Sequence, residues 1–363
     1  MRLVKHRELR DRGIILEEEF SLQGISEDLA RIYLSYETRF QNLFRRYAEI
    51  NGLNNICFFI IDSNSCNASA TNREGFNIIS ITNGFPILIE NSFKEEFFTR
   101  LVLVGLINNQ STSEAYADLY QNPHLSIKTF MLECSVRFTF FHEFRHILQF
   151  NSLKSPSKGG SYSEHLDKSK FSLTRHAREF DADRIASFEV LKYVFSIHRN
   201  LSARSDEKFI CLLLFGVASI VITINLFYFG IINQMVVIDK AGSKIRAKAH
   251  PFYTEKYSHP HPLSRIVNIL DYFRSCANDD FPRLKIEPQS VLNNVLGICK
   301  LYFESISKEC GDLIQILCDE LKASVDAINL YNDKLYAQAI SDKAIRRLLI
   351  RSGTKFDSGG ILA

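Results

Sequence analysis

The chain has 363 residues, 46% of them hydrophobic and 23% charged, with a formal net charge of +3. That balance is ordinary for a globular protein able to bury a substantial core in one large domain or two, and the near-neutral charge gives no electrostatic footprint for a nucleic-acid partner. Eight cysteines (Cys57, Cys66, Cys134, Cys211, Cys276, Cys299, Cys310 and Cys318) are scattered through mostly apolar contexts with no CxxC pair, which reads as reduced thiols of a cytoplasmic protein.

The N-terminus, MRLVKHRELRDRG, is too charged for the apolar region of a secretion signal. Residues 1–50 place apolar side chains at helical spacing, with Ser26 as N-cap before Glu27 and Asp28, so this segment is expected to be an amphipathic helical unit docked on a core. From Ile56 the texture changes. ICFFIID and NASATNREGFNIISITNGFPILIE alternate short β-branched and aromatic runs with Asn, Gly and Pro, which predicts two or three strands of a small sheet.

SFKEEFFTRLVLVGLI returns to a helical pattern, and the polar stretch from Asn108 to Pro123 reads as a loop. A helix is expected from about Ser126 to Phe150, and it carries HEFRH, His142 to His146. Two histidines four apart on a helix project from one face, a turn from each other, where both can bind one metal ion. Zn²⁺ takes neutral imidazole readily, and Glu143 between them is placed to act on a metal-activated water. Phe140, Phe144 and Ile147 fall at i, i+4 and i+7 on the other side, an apolar stripe that anchors the helix.

The Ser-, Gly- and Lys-rich stretch from Asn151 to Ser172 reads as a surface loop. A second strong helix follows, LTRHAREFDADRIASFEVLKYVFSI. Next, Phe209 to Ile232 is free of charge; at about 1.5 Å per residue it makes roughly 36 Å of helix, enough to cross a bilayer. Beyond Pro288 the pattern is helical again and ends in a Gly- and Ser-bearing tail. The organisation expected is an N-terminal helical segment (1–50), a central domain (51–275) and a C-terminal helical region (276–363).

A mononuclear catalytic zinc site uses three protein ligands and an open position. The extended pattern with a third histidine is excluded, because Gln149 and Ser152 stand where it requires Gly and His. The better candidate is Glu179 in EFDAD, sharing a helix face with His176 and Asp183; Asp183 would then orient His142 or His146 through its second ring nitrogen. Glu164 and Asp167 in the polar loop compete for the ligand role, and His176 is a further substitute. SHPHPLSRI, Ser258 to Ile266, sets two histidines on a proline-fixed turn, from which one could donate a hydrogen bond to an oxyanion. Upstream, CNASA (Cys66 to Ala70) precedes FNIISIT, and a strand at a cleft edge can hold an extended peptide.

With NASA, HEFRH, EFDAD and His259-Pro260 ahead of Arg265-Ile266 in this order, residues 55–270 resemble the gluzincin metallopeptidases of the HtpX and CAAX prenyl endopeptidase type. The resemblance implies an α+β, predominantly helical zincin-like fold with a small sheet and a helical C-terminal region. It also implies a Zn²⁺ ion on His142, His146 and Glu179, Glu143 as general base, and His259 assisting the transition state. The chain departs from that type in the long segment from Asn91 to Phe141 and in lacking several membrane spans. FFHEFRHILQFN, the N-terminus and the helical tail are more similar to the bacterial Lit-type phage-exclusion peptidases, which cleave translation elongation factor Tu; this implies a protein or peptide substrate and a role in phage defence.

A single span at 209–232 would put Glu179 and His259 on opposite sides of a bilayer. If His259 belongs to the site, the segment is a buried helix; otherwise it is a point of association with the inner membrane. The function expected is a zinc endopeptidase. The alternatives are a catalytically inactive sensor or binding protein retaining the fold, and an integral membrane protein in which HExxH is incidental.

Overall fold

The structure is a computed structural model that describes residues 1–101, 110–153, 160–163, 171–233, 249–284, 286–306 and 308–352. Helical spacing near the N-terminus yields two helices: α1 (His6–Asp11) and α2 (Glu27–Ile50). α1 stops because Gly13, at φ 67°, takes the left-handed conformation that only glycine adopts cheaply. The chain then returns, so residues 1–20 do not continue the helix expected there. They bridge instead to the outer edge of β1 (Ile56–Ile61), through Leu3 opposite Ile56 and Glu19 opposite Ile61. α2 starts where expected: Ser26 Oγ accepts from Leu29 N at 3.4 Å, and Glu27 and Asp28 complement the positive end of the helix. Tyr33, Tyr36, Phe40, Phe44 and Ala48 form its buried stripe.

Three strands come from the β-branched region: β1, β2 (Ala68–Arg73) and β3 (Phe76–Thr82). Glu74 and Gly75, both at positive φ (52° and 79°), close β2 and β3 into a two-residue hairpin. β1 runs parallel to β3, and β2 antiparallel to it. Every residue of β3 is buried, because helices cover one face of the sheet while Val4, Leu9, Ile14 and Ile15 pack with Cys57, Phe59 and Ile78 on the other.

Two local expectations are corrected. The polar stretch after Asn151 contributes a fourth strand, β4 (Gly160–Ser163), antiparallel to β2. The sheet order is therefore β1-β3-β2-β4, and FNIISIT, read as a strand at a cleft edge, is β3 and lies inside the sheet between β1 and β2. GFPILIE leaves the sheet as α3 (Gly84–Ser92); a Cβ on Gly84 would sit 2.4 Å from two backbone carbonyl oxygens, so only glycine fits this sharp departure.

A π-helical turn (Phe97–Leu101) follows, and then α4 (Gln110–Tyr120). This helix replaces the loop expected from its polar composition. Thr112, Ala115, Tyr116 and Leu119 make a narrow buried stripe at i, i+3, i+4 and i+7. α5 (Ile127–Ser152) and α6 (Leu173–Arg199) are capped by Ser126 and Ser172. They are followed by α7 (Asp206–Asn233), α8 (Pro262–Asp280), α9 (Pro288–Ile306), α10 (Lys308–Ser341) and α11 (Lys343–Ser352).

α7 holds the apolar segment and is long and apolar enough to cross a membrane; 94% of its apolar window is buried inside this fold. α4, α5, α6, α8 and α9 surround it. Gly216 permits the close approach of α6, since a Cβ there would meet Val194 Cγ2 at 2.8 Å. The Ser219 and Thr223 hydroxyls donate to Phe215 O and Ser219 O, each at 2.7 Å, so neither leaves an unmet donor in the apolar interior. One continuous apolar core runs from Tyr33 on α2 to Ile328 on α10, and the fold is α+β, predominantly helical, with a small sheet.

Candidate metal centre

α5 is pinned by its aromatic side. Phe140 and Phe144 stack at 5.5 Å between ring centroids and meet Phe44 of α2 edge-on. This directs His142 and His146 toward α6, which packs alongside and supplies Glu179. His142 Nε2 and His146 Nε2 are 3.2 Å apart. Glu179 Oε2 lies 3.2 Å from the first and 3.4 Å from the second. The turn ahead of α8 brings His259 Nε2 to 3.4 Å from the other oxygen, Glu179 Oε1. Ser258 Oγ, at 3.0 Å, faces His259 Nδ1. His142, Glu143, His146, Glu179 and His259 are all at most 3% exposed. The fold therefore brings His142, His146, Glu179 and His259 together, although His259 is 80 positions beyond Glu179 in the sequence, and Glu143 is buried next to His142 on α5.

A second layer surrounds this group. His142 Nδ1 lies 3.0 Å from Asp183 Oδ1, as the helix spacing suggested. Asp183 also receives two bonds from Arg265, at 2.9 and 2.8 Å. Burial by itself would raise the Asp183 carboxyl, but Arg265 and His142 outweigh it and hold it below the ordinary range. Glu179 behaves likewise: burial opposes ionisation, and His259, His146 and His142 together hold it well below its usual value. His146 Nδ1 meets Gln149 Oε1 at 2.9 Å. Gln149, Arg145 and Asp181 are supports that sequence reading missed. Gln149 stands one turn beyond His146 on the same helix, a usable signal that the comparison with a glycine position obscured.

His176 is not a ligand. Its Nε2 donates to Tyr257 O at 2.8 Å, and Tyr331 Oη lies 2.7 Å from its Nδ1. Burial pushes its pKa down to about 4. It ties α6 to α10 and to the turn that delivers His259. His261, the other histidine of that turn, caps α8 by accepting from Leu263 N at 3.2 Å. Glu164 and Asp167 lie outside the described residues.

The donor atoms fit a metal ion on two grounds. A tetrahedral ion bonded at about 2.0–2.1 Å holds adjacent ligand atoms about 3.3 Å apart; the three edges here are 3.2, 3.2 and 3.4 Å. Proton positions lead to the same point. His146 Nδ1 faces an oxygen acceptor, Gln149 Oε1, so its neutral imidazole carries the proton on Nδ1 and presents a lone pair at Nε2, while His142 stands between two carboxylates, with Asp183 Oδ1 3.0 Å from Nδ1 and Glu179 Oε2 3.2 Å from Nε2. The His146 lone pair and the Glu179 carboxylate oxygen then converge with His142 Nε2 in a buried space, where a cation between them relieves the repulsion of lone pair and carboxylate. His142, His146 and Glu179 can thus hold a metal ion. Comparison with protein-family models, curated proteins and solved structures returns no match.

Proposed function

We propose that the chain is a zinc-dependent endopeptidase with a gluzincin-type site. The observation that carries this reading is the convergence of the His142 and His146 Nε2 atoms and the Glu179 carboxylate at tetrahedral spacing, beside a glutamate that follows the first histidine. Two imidazoles and one carboxylate form a donor set suited to Zn²⁺ in a catalytic site. When bound, zinc acts as a Lewis acid and lowers the pKa of a water toward neutrality.

The chain supplies the remaining groups. Glu143 takes the proton of the attacking water and passes it to the leaving amine, so one carboxylate serves as base and then acid. His259 donates from Nε2 to the oxyanion that develops on the peptide carbonyl. Asp183 and Arg265 hold His142 in the tautomer that leaves Nε2 free. The substrate class is a peptide bond in an extended protein segment, and the resemblance to phage-exclusion peptidases makes phage defence the biological setting. The burial of α7 and the free cysteines among the described residues support a cytoplasmic protein.

One observation favours a second reading, a non-catalytic sensor that retains the fold: every proposed site residue is at most 3% exposed, so substrate needs an opening step. Comparison of cut products in cells expressing wild type and Glu143→Gln separates the two. Fragments specific to wild type support the endopeptidase. Identical fragment sets, with metal present in both proteins, favour the sensor.

A further inference from the structure

Arg145, the fourth residue of HEFRH, has no place in the proposed reaction, yet it is only 6% exposed. Its guanidinium is committed to Asp181, with Nε to Oδ2 at 2.7 Å and Nη2 to Oδ1 at 2.9 Å. Asp181 Oδ2 also accepts from Gln149 Nε2 at 2.9 Å. The same amide nitrogen donates to Arg178 O at 3.1 Å. Both hydrogens of the amide are therefore directed at oxygen acceptors, and this fixes its orientation. A flipped amide would set its oxygen against the Asp181 carboxylate and the Arg178 carbonyl. Gln149 and Asp181 are each 0% exposed, so no solvent is available to relieve that conflict.

The fixed orientation leaves Gln149 Oε1 facing His146 Nδ1 at 2.9 Å. An oxygen acceptor there admits only the imidazole tautomer protonated on Nδ1. The alternative tautomer would carry its proton on Nε2, where His142 Nε2 lies at 3.2 Å and Glu179 Oε2 at 3.4 Å. That proton would bridge the donor atoms and close the site to an ion.

We propose that Arg145, Asp181 and Gln149 form a positioning chain that locks His146 in its Nδ1–H tautomer and so keeps Nε2 open to metal before the ion arrives. Arg145 grips the Asp181 carboxylate in a two-point bond, Asp181 orients the Gln149 amide, and the amide selects the tautomer. The consequence for metal rests on the metalloenzyme reading, whereas the tautomer assignment follows from the hydrogen-bond geometry alone. It differs from the arrangement at His142, whose Nδ1 has a carboxylate, Asp183, at 3.0 Å in place of an amide. A neutral amide would not distinguish the tautomers unless its orientation were imposed, and that is what Asp181 contributes.

Nitrogen NMR of metal-free protein labelled at histidine, at a pH where imidazole is neutral, reads the tautomer of His146 directly. Wild type should show a protonated Nδ1 and a bare Nε2. Gln149→Met, close in length and volume, should shift His146 toward the Nε2–H form and weaken Zn²⁺ or Co²⁺ binding about 10- to 100-fold. Wild-type protein with the proton on Nε2 overturns the proposal without any variant, as does a Gln149→Met protein whose tautomer and metal affinity are unchanged. If the tautomer changes as expected but neither protein takes up metal, the positioning chain stands and the metalloenzyme reading falls.

Discussion

Asp183 and His142 face each other at 3.0 Å, carboxylate to Nδ1, in a space where Asp183 has no exposure at all. The same carboxylate is clamped by Arg265 from α8, so the first metal-site histidine is tied to a helix that begins three residues after His259. Removing the carboxylate leaves Arg265 as an uncompensated buried charge. Asp183→Ala should lose about 3–5 kcal/mol of folding stability, read by denaturant unfolding. Asp183→Asn should fold better than the alanine variant and bind metal about 10- to 100-fold more weakly than wild type. Unaltered metal affinity in Asp183→Asn would show that His142 is oriented by something else.

His259 should act on turnover rather than on metal uptake. His259→Phe is expected to retain metal and to lose about 10²- to 10³-fold in kcat, the cost of one oxyanion donor. Loss of metal in that variant would make His259 a support for Glu179, with no role toward the oxyanion.

Acid should destabilise the fold through its buried histidines. His176 and His261 each have a pKa lowered to about 4, mainly by burial, against about 6.5 in an unfolded chain. Below about 6.5 the unfolded state binds protons that the folded state refuses, so stability is full above that value, falls as pH drops toward about 4, and then levels. Each group contributes on the order of 3 kcal/mol across that window. His261→Asn keeps an oxygen to cap α8 and removes one titration, so its unfolding midpoint should vary less with pH than that of wild type. An equally steep profile would assign the acid lability elsewhere.

Helix α7 offers a test of its surroundings. Leu213 is 0% exposed within the protein core, and Leu213→Ala should cost about 2–5 kcal/mol in cooperative unfolding. A chain whose α7 faced lipid would not lose stability in water in that way, and it would resist extraction by a carbonate wash. Extraction-resistant pelleting of wild type would contradict the packing described for α7.

The legible parts of this protein were those set by local pattern. HEFRH and EFDAD could be placed on two helices because both have strong apolar periodicity, and Asp183 could be assigned to a histidine by helix spacing. The helix from Gln110 to Tyr120 escaped notice because its buried stripe depends on small residues, Thr112 and Ala115, that carry little hydropathy signal. β4 escaped for a different reason: a strand held by pairing with β2 alone needs no apolar pattern of its own. Glu179 and His259 were readable only as candidates, since the contact between them depends on α7 being buried, and length with hydropathy cannot separate a core helix from a membrane span. The chain from Arg145 through Asp181 to Gln149 was unreadable because i and i+2 positions on a helix suggest opposite faces; packing of α5 against α6 made both faces of EFDAD interior.

Metal content tests the central claim most directly. Wild-type protein reconstituted with zinc and freed of excess should hold one ion per chain, and anomalous diffraction should place it among His142 Nε2, His146 Nε2 and Glu179 Oε2, with His142→Ala and Glu179→Ala each losing it. A folded wild-type protein that takes up no stoichiometric metal, or an ion that persists in both variants, would contradict the site.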